Sequence, residues 1–174
     1  HSVKALVDRG HRVRLLVREG TDPERSVGAL GVDLAGHEVV RGDVCEPEAV
    51  ARLLEGSDAL LHAAGVVGTD DREERRMWEV NVGATATVLA SAVTLGLDPV
   101  VHVASYSALY PSPDAVIGPD SPTAEGRSAY GRTKAVGDRI ARGFQAAGAP
   151  VVITYPSTVV GPPSGDRRGI TAEG

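Results

Sequence analysis

The chain has 174 residues, enough for one domain, and a core of that size removes roughly two-thirds of the unfolded surface from water. Its 18 Lys and Arg stand against 23 Asp and Glu, and the net charge of −5 argues against a nucleic-acid surface. The single cysteine, Cys45, excludes an internal disulfide and fits a reducing, cytoplasmic setting, and no apolar run reaches the ~18 residues of a membrane helix. Cys45 is followed by Glu46 and has no basic neighbour in sequence, so it reads as an inert thiol. Aromatic residues are only 3%, which leaves Val, Ala and Leu to fill the core.

The elements follow in order. His1–Gly10 reads as the second half of a helix, with Val3, Leu6 and Val7 at helical spacing and Gly10 as its stop. Val13–Val17 reads as a short buried strand. Asp22 and Pro23 open a predicted helix that runs toward Leu34. Glu38–Arg41 is a strand ended by Gly42 and Asp43, and Glu46–Leu54 is a helix with Pro47 in its first turn. Ala59–Ala64 is a strand and Val66–Arg76 a charged loop. Met77–Leu95 is a long helix stopped by Gly96, and Val100–Ala104 is a strand. Tyr106–Arg127 is a loop, and Ser128–Ala147 is a helix with Val136, Ile140 and Phe144 on one stripe. Val151–Thr154 is the last clear strand, and the tail from Pro156 looks irregular. Strands that are apolar on both faces, alternating with helices, predict a parallel sheet covered on both sides. Such sheets place their sites at the carboxyl ends of strands.

Those ends carry the candidate chemistry. Tyr130 and Lys134 lie four apart on a predicted helix, hence on one face. A free tyrosine has a pKa near ~10, and an adjacent ammonium stabilises its phenolate, which tunes it for proton transfer at a carbonyl or alcohol. By itself the spacing also arises by chance. Ser105 ends a strand and can hydrogen-bond a substrate oxygen, with Ser107 as its rival. His62 precedes Ala63, Ala64 and Gly65, small residues that let backbone lie against a flat ligand. No second His or Cys stands at ligand spacing, so His62 reads as a packed strand residue and no metal site is expected. Asp43 and Val44 suit contacts to an adenine ring. Asn81 reads equally as a bridge between backbone and site or as a solvent-facing side chain.

In this order the residues resemble the extended short-chain dehydrogenases/reductases, the NAD-dependent epimerase/dehydratase family. The resemblance runs from His1-Ser2-Val3 and Gly10-His11 through Arg41-Gly42-Asp43-Val44, Asp58 to Gly65 and Val80-Asn81-Val82. It closes with Ser105, Tyr130-x-x-x-Lys134, Tyr155-Pro156 and Val160-Gly161-Pro162. It implies a doubly wound, Rossmann-like parallel sheet over residues 1–174, incomplete at both ends. The family's glycine-rich turn and first strand would precede His1, and its substrate lobe would follow the region of Gly161. The chain is therefore expected to be part of a longer enzyme.

The resemblance also implies roles. Tyr130 would be the catalytic acid/base, Lys134 would lower its pKa and bind the nicotinamide ribose, and Ser105 would polarise the substrate oxygen. Asp43 and Val44 would hold the adenine, and Ala63, Ala64 and Gly65 the middle of the cofactor. Pro156, Ser157 and Thr158 would touch its nicotinamide end, with Asn81 in support. NAD-preferring members carry an acidic residue at the end of the second strand. Here Val17 and Arg18 stand there, which leans to NADP(H), with NAD as the alternative. Tyr155 stands where many sugar-nucleotide members have arginine, which favours a reductase or steroid-dehydrogenase-like branch over a sugar-nucleotide epimerase or dehydratase. The partner expected is a small-molecule substrate, with no nucleic acid or membrane, and relatives suggest a homodimer through the two long helices. The competing reading is a sensor or scaffold that binds NAD(P) without turnover.

Overall fold

A computed structural model describes residues 1–25, 27–68 and 71–159. The described residues fall into two compact units, His1–Asp43 together with residues 158–159, and Val44–Ser157.

In the first unit, helix α1 (Ser2–Val7) leads to strands β1 (Arg14–Val17) and β2 (Glu38–Arg41). The two strands pair in parallel, with Arg14 opposite Glu38 and Val17 opposite Arg41. Arg14 Nε donates to Glu38 at 2.7 Å across that pair and holds the carboxyl below its usual range. The helix expected from Asp22 toward Leu34 does not form. Asp22 instead accepts from the Glu24 backbone N–H at 3.0 Å, and only one turn of 3₁₀ helix follows, at Gly28–Leu30. Asp favours such a side-chain turn, and Gly28 weakens any helix that would follow it. Gly31, with φ at +76°, then ends the turn.

The second unit holds a three-stranded parallel sheet in the order β3 (Leu60–His62), β4 (Val100–Val103), β5 (Val151–Thr154). The two sheets are parallel throughout, as the alternation of strands and helices predicts. Helices α2 (Pro47–Leu54), α4 (Thr85–Thr94) and α5 (Ala129–Ala146) pack with this sheet. Their core is built from side chains such as Val50, Leu54, Leu60, Val88, Leu89 and Val100. Helix α2 starts at Pro47, has Glu48 in its first turn and Arg52 in its last, and so complements its own dipole.

Two differences from the predicted elements bear on the site. Ala63 and Ala64 lie beyond the ladder of β3, so that strand is shorter than Ala59–Ala64. The long helix is not uniform. It begins earlier, as α3 (Glu74–Trp78), passes through a π-helical segment at Glu79–Ala84, and resumes as α4. Hydropathy spacing cannot separate 3.6 residues per turn from the wider π turn over so short a stretch. Among the described residues, no helix is long and apolar enough to cross a membrane.

Candidate active site

Helix α5 presents the central pair. Ser128 accepts from the Gly131 N–H at 3.0 Å and caps the helix, satisfying one of its free N–H groups. Tyr130 is half-buried in the first turn, and Lys134 lies one turn on, only 7% exposed. Lys134 Nζ donates to the Val103 carbonyl at 3.2 Å, at the carboxyl end of β4. Among the described residues no carboxylate pairs with this ammonium, and burial pushes its pKa down to about 8.

Ser105 follows β4 and is buried. Its Oγ accepts from the Ser107 N–H at 3.2 Å and caps a 3₁₀ turn at Tyr106–Ala108, which leaves its O–H as a donor. The rival Ser107 contributes its backbone to this arrangement. No hydrogen bond joins Ser105 to Tyr130 among the described residues.

Asn81 is a bridge, and the solvent-facing alternative falls, since only 2% of it is exposed. Its Oδ1 accepts from Val66 N–H at 2.8 Å and its Nδ2 donates to Val66 O at 2.9 Å, as a neighbouring strand would. The same Nδ2 donates to Thr133 Oγ1 at 3.1 Å, and Thr133 Oγ1 donates to the Tyr130 carbonyl at 2.9 Å. Asn81 thus ties the chain beyond β3 to the first turn of α5. The π segment brings its backbone equally close: a Cβ at Gly137 would stand 2.9 Å from the Asn81 carbonyl oxygen.

Ala63, Ala64 and Gly65 form an exposed ledge beyond β3. A Cβ at Gly65 would reach within 3.4 Å of Asn81 Oδ1 and 4.0 Å of Lys134 Nζ. Beneath the pair, His62 and His102 are opposite one another in the β3–β4 register and stack with ring centroids 5.5 Å apart. His62 Nε2 meets Thr85 Oγ1 at 3.0 Å, whereas His102 Nδ1 is buried without a partner. Burial first, then for His62 the stacked His102 and for both the Lys134 ammonium, hold the two imidazoles at about 3 and about 4, so both are neutral.

The remaining candidates are more dispersed. Arg18 is exposed after β1, and its carbonyl accepts from Arg41, a second cation at a strand end that the sequence reading left without a role. Asp43 is half-buried at the end of its unit. Val44 is half-buried and packs against the core of the second unit. Pro156 O accepts from Tyr106 N–H at 3.1 Å, while Ser157 and Thr158 are exposed. The Val160-Gly161-Pro162 motif lies outside the described residues. Cys45 does have a basic neighbour, contrary to its sequence context: Arg76 Nη1 lies 3.5 Å from its sulfur.

Sequence reasoning missed Asp138 and Arg142, which continue the four-residue spacing of Tyr130 and Lys134 down α5. Asp138 is fully buried. It accepts from Tyr155 OH at 2.6 Å, from Arg142 Nε at 2.9 Å and from Thr123 Oγ1. Arg142 and Tyr155 also line a cavity of about 410 Å³ together with Tyr106, Leu109, Ile117 and Ile153.

Known proteins resemble the chain in sequence and in fold. The chain is 32% identical over 166 residues to a sterol demethylase protein B from Methylococcus capsulatus, spanning 92% of this chain and 48% of that one. It is 29% identical over 172 residues to a 2-alkyl-3-oxoalkanoate reductase from Stenotrophomonas maltophilia, spanning 95% of this chain and 48% of that one. The chain therefore spans about half the length of these curated relatives. A short-chain dehydrogenase/reductase superfamily protein from Agrobacterium tumefaciens, solved with bound NAD, matches with a TM-score of 0.70 at 26% identity over 87% of this chain and 43% of its own. WbmH from Bordetella bronchiseptica, in complex with NAD+, reaches a TM-score of 0.76 over 95% of this chain and 54% of its own, a likeness of fold alone at 18% identity. The model of the NAD dependent epimerase/dehydratase family matches residues 1–172, and the chain belongs to that family.

Proposed function

We propose that the protein carrying this chain is a cytoplasmic NADP(H)-dependent oxidoreductase that interconverts a carbonyl and an alcohol, with Tyr130 as acid/base. The observation that carries this reading is the buried Lys134 ammonium one helical turn from Tyr130, with no carboxylate to neutralise it among the described residues. In this reading Tyr130 gives and takes the proton, and Lys134 supplies the nearby positive charge. Ser105, whose oxygen already accepts from Ser107 N–H, keeps its proton to donate to a substrate oxygen. Asn81, through Thr133, is tied to the backbone carbonyl of Tyr130 in the first turn of α5.

The residues fit a dinucleotide. The ledge at Ala63, Ala64 and Gly65 is open, and a Cβ at Gly65 would only just touch Asn81 and Lys134, so the ledge lies directly beside both. In this reading the ledge holds the middle of the cofactor, and Asp43 and Val44 hold its adenine. Pro156, Ser157 and Thr158 meet its nicotinamide end, Lys134 its ribose, and Arg18 a 2′-phosphate. Bound NADP(H) would supply or accept the hydride. A reductase is favoured over a sugar-nucleotide enzyme because Tyr155 replaces the arginine of many such members and the nearby Arg142 is occupied by Asp138.

The test uses the full-length protein and follows NADPH oxidation over a panel of carbonyl compounds. Tyr130→Phe is expected to lower kcat by ~10²–10⁴-fold, the range of a lost general acid. Undiminished turnover in that variant removes Tyr130 from the mechanism. NADPH binding with no turnover of any carbonyl in the panel favours the sensor instead.

A further inference from the structure

We propose that Asp138 is a positioning residue, the common anchor that fastens both the loop at 106–127 and the chain around Tyr155 to α5, and so sets where substrate stands against Ser105 and Tyr130. The proposal rests on the oxidoreductase reading above and names a further residue that the reading requires.

A fully buried carboxylate is costly unless its charge is matched and its lone pairs are filled. One local partner would satisfy the charge, and Arg142, four residues on, is that partner at 2.9 Å. The other donors are not local. Thr123 Oγ1 comes from the loop between β4 and α5, and Tyr155 OH, at 2.6 Å, comes from the chain just after β5. One side chain therefore joins three segments.

Arg142 extends the fastening. Its Nη2 donates to Ser121 O and to Tyr155 OH, each at 3.0 Å. Arg139, one residue beyond Asp138, donates to Ala124 O at 2.9 Å. Ser121 Oγ in turn donates to Asp114 at 2.7 Å and accepts from Gly118 N–H at 3.0 Å. The middle of the loop is thus secured to α5 through side chains, while Ala124 N–H to Ala108 O, at 2.8 Å, closes its base.

The position of this anchor gives it consequence. The loop starts one residue after Ser105 and ends shortly before Tyr130. Tyr155 precedes Pro156, whose carbonyl accepts from Tyr106 N–H. Slack at Asp138 would reach the substrate side of the site from both directions, yet it would leave the ledge at Ala63, Ala64 and Gly65 untouched. A displacement of about 1 Å at a reacting group can cost ~10²-fold in rate. The expected signature is a loss confined to substrate handling, with cofactor binding preserved.

The experiment compares Asp138→Asn, Asp138→Glu, Tyr155→Phe and Thr123→Val in the full-length protein. It reads kcat and KM for the carbonyl substrate, the dissociation constant for NADPH by fluorescence, and hydrogen exchange across residues 114–125. Asp138→Asn is expected to lower substrate kcat/KM by ~10²-fold with NADPH affinity unchanged within twofold, and Asp138→Glu to recover part of the loss. Tyr155→Phe keeps the ring and removes one donor, so a loss of about tenfold is expected, with faster exchange at 114–125. Should Asp138→Asn fail to fold, Tyr155→Phe and Thr123→Val carry the test. Unchanged kinetics and exchange in these folded variants overturn the proposal, and so does a loss that falls equally on NADPH affinity. Failure of the oxidoreductase reading shows differently: Tyr130→Phe then has no effect on turnover, whereas exchange at 114–125 still reports on the anchor.

Discussion

His102 carries a nitrogen that has no partner in the interior, and an unsatisfied buried polar atom costs about 1–3 kcal/mol. The other charged or titratable groups bearing on it are His62, stacked on one face, and Lys134 of α5. Both imidazoles are neutral when folded, with pKa values of about 3 and about 4 against 6.5 for a free histidine. The unfolded chain therefore binds protons first as pH falls below 6.5, so stability is lost as pH drops from there toward about 4 and then 3. His102→Leu removes one of the two groups and the unpaired nitrogen with it. The pH midpoint of acid unfolding, followed by far-UV circular dichroism, is expected to move lower in that variant. A midpoint unmoved or raised would show that His102 does not drive the acid limb. The sequence placed His62 in a packed strand, but not its pairing with His102, forty residues on, which arises only through the parallel register of β3 and β4.

Helix α5 shows how one element's sequence serves packing and chemistry together. Its stripe of Val136, Ile140 and Phe144 suggested the buried face, but those three are only half-buried. The fully buried face holds Thr133, Lys134, Ala135, Gly137, Asp138 and Ala141, small or polar residues that let the π segment approach. Gly137 makes that approach physical, since a Cβ there would meet a backbone oxygen that cannot swing away. Gly137→Ala is expected to destabilise the fold by up to about 2 kcal/mol, because overpacking of about 1–3 kcal/mol offsets the ~1 kcal/mol that alanine adds to a helix. Gly143→Ala, six residues along on an open surface with nothing near its Cβ, should instead stabilise by about 0.5–1 kcal/mol. Urea midpoints of the two variants check the opposite signs, and a stabilised Gly137→Ala would refute the close packing. The strands and the Tyr130–Lys134 pair were legible because alternation and four-residue spacing are local signals. The π segment and the buried role of Asp138 were not, since both depend on contacts that long-range packing creates. The spacing of Tyr130, Lys134, Asp138 and Arg142 did hold the clue.

At the scale of the molecule, the candidate cofactor residues divide between the two units, with Arg18, Asp43 and Thr158 in one and the ledge, Asn81 and the Tyr130–Lys134 pair in the other. The family was readable because its motifs keep their order along the chain, whereas the choice between NAD and NADP hangs on one side chain. The Agrobacterium tumefaciens structure described above holds NAD, whereas an arginine follows β1 in this chain. Arg18 is exposed, and its backbone carbonyl holds the turn by accepting from Thr21 N–H at 3.1 Å and from Arg41, which leaves the guanidinium outside that bonding. A 2′-phosphate placed there would gain charge-assisted hydrogen bonds worth about 1.5–3 kcal/mol, or ~10–100-fold in affinity. Arg18→Ala in the full-length protein is therefore expected to weaken NADPH by ~10–100-fold while NADH changes by less than about threefold. Isothermal titration of both cofactors reads the difference directly, and raised salt should narrow it because the contact is exposed. Equal affinity for the two cofactors before the substitution would overturn the NADP(H) preference, and NADPH affinity unchanged after it would leave Arg18 a surface residue.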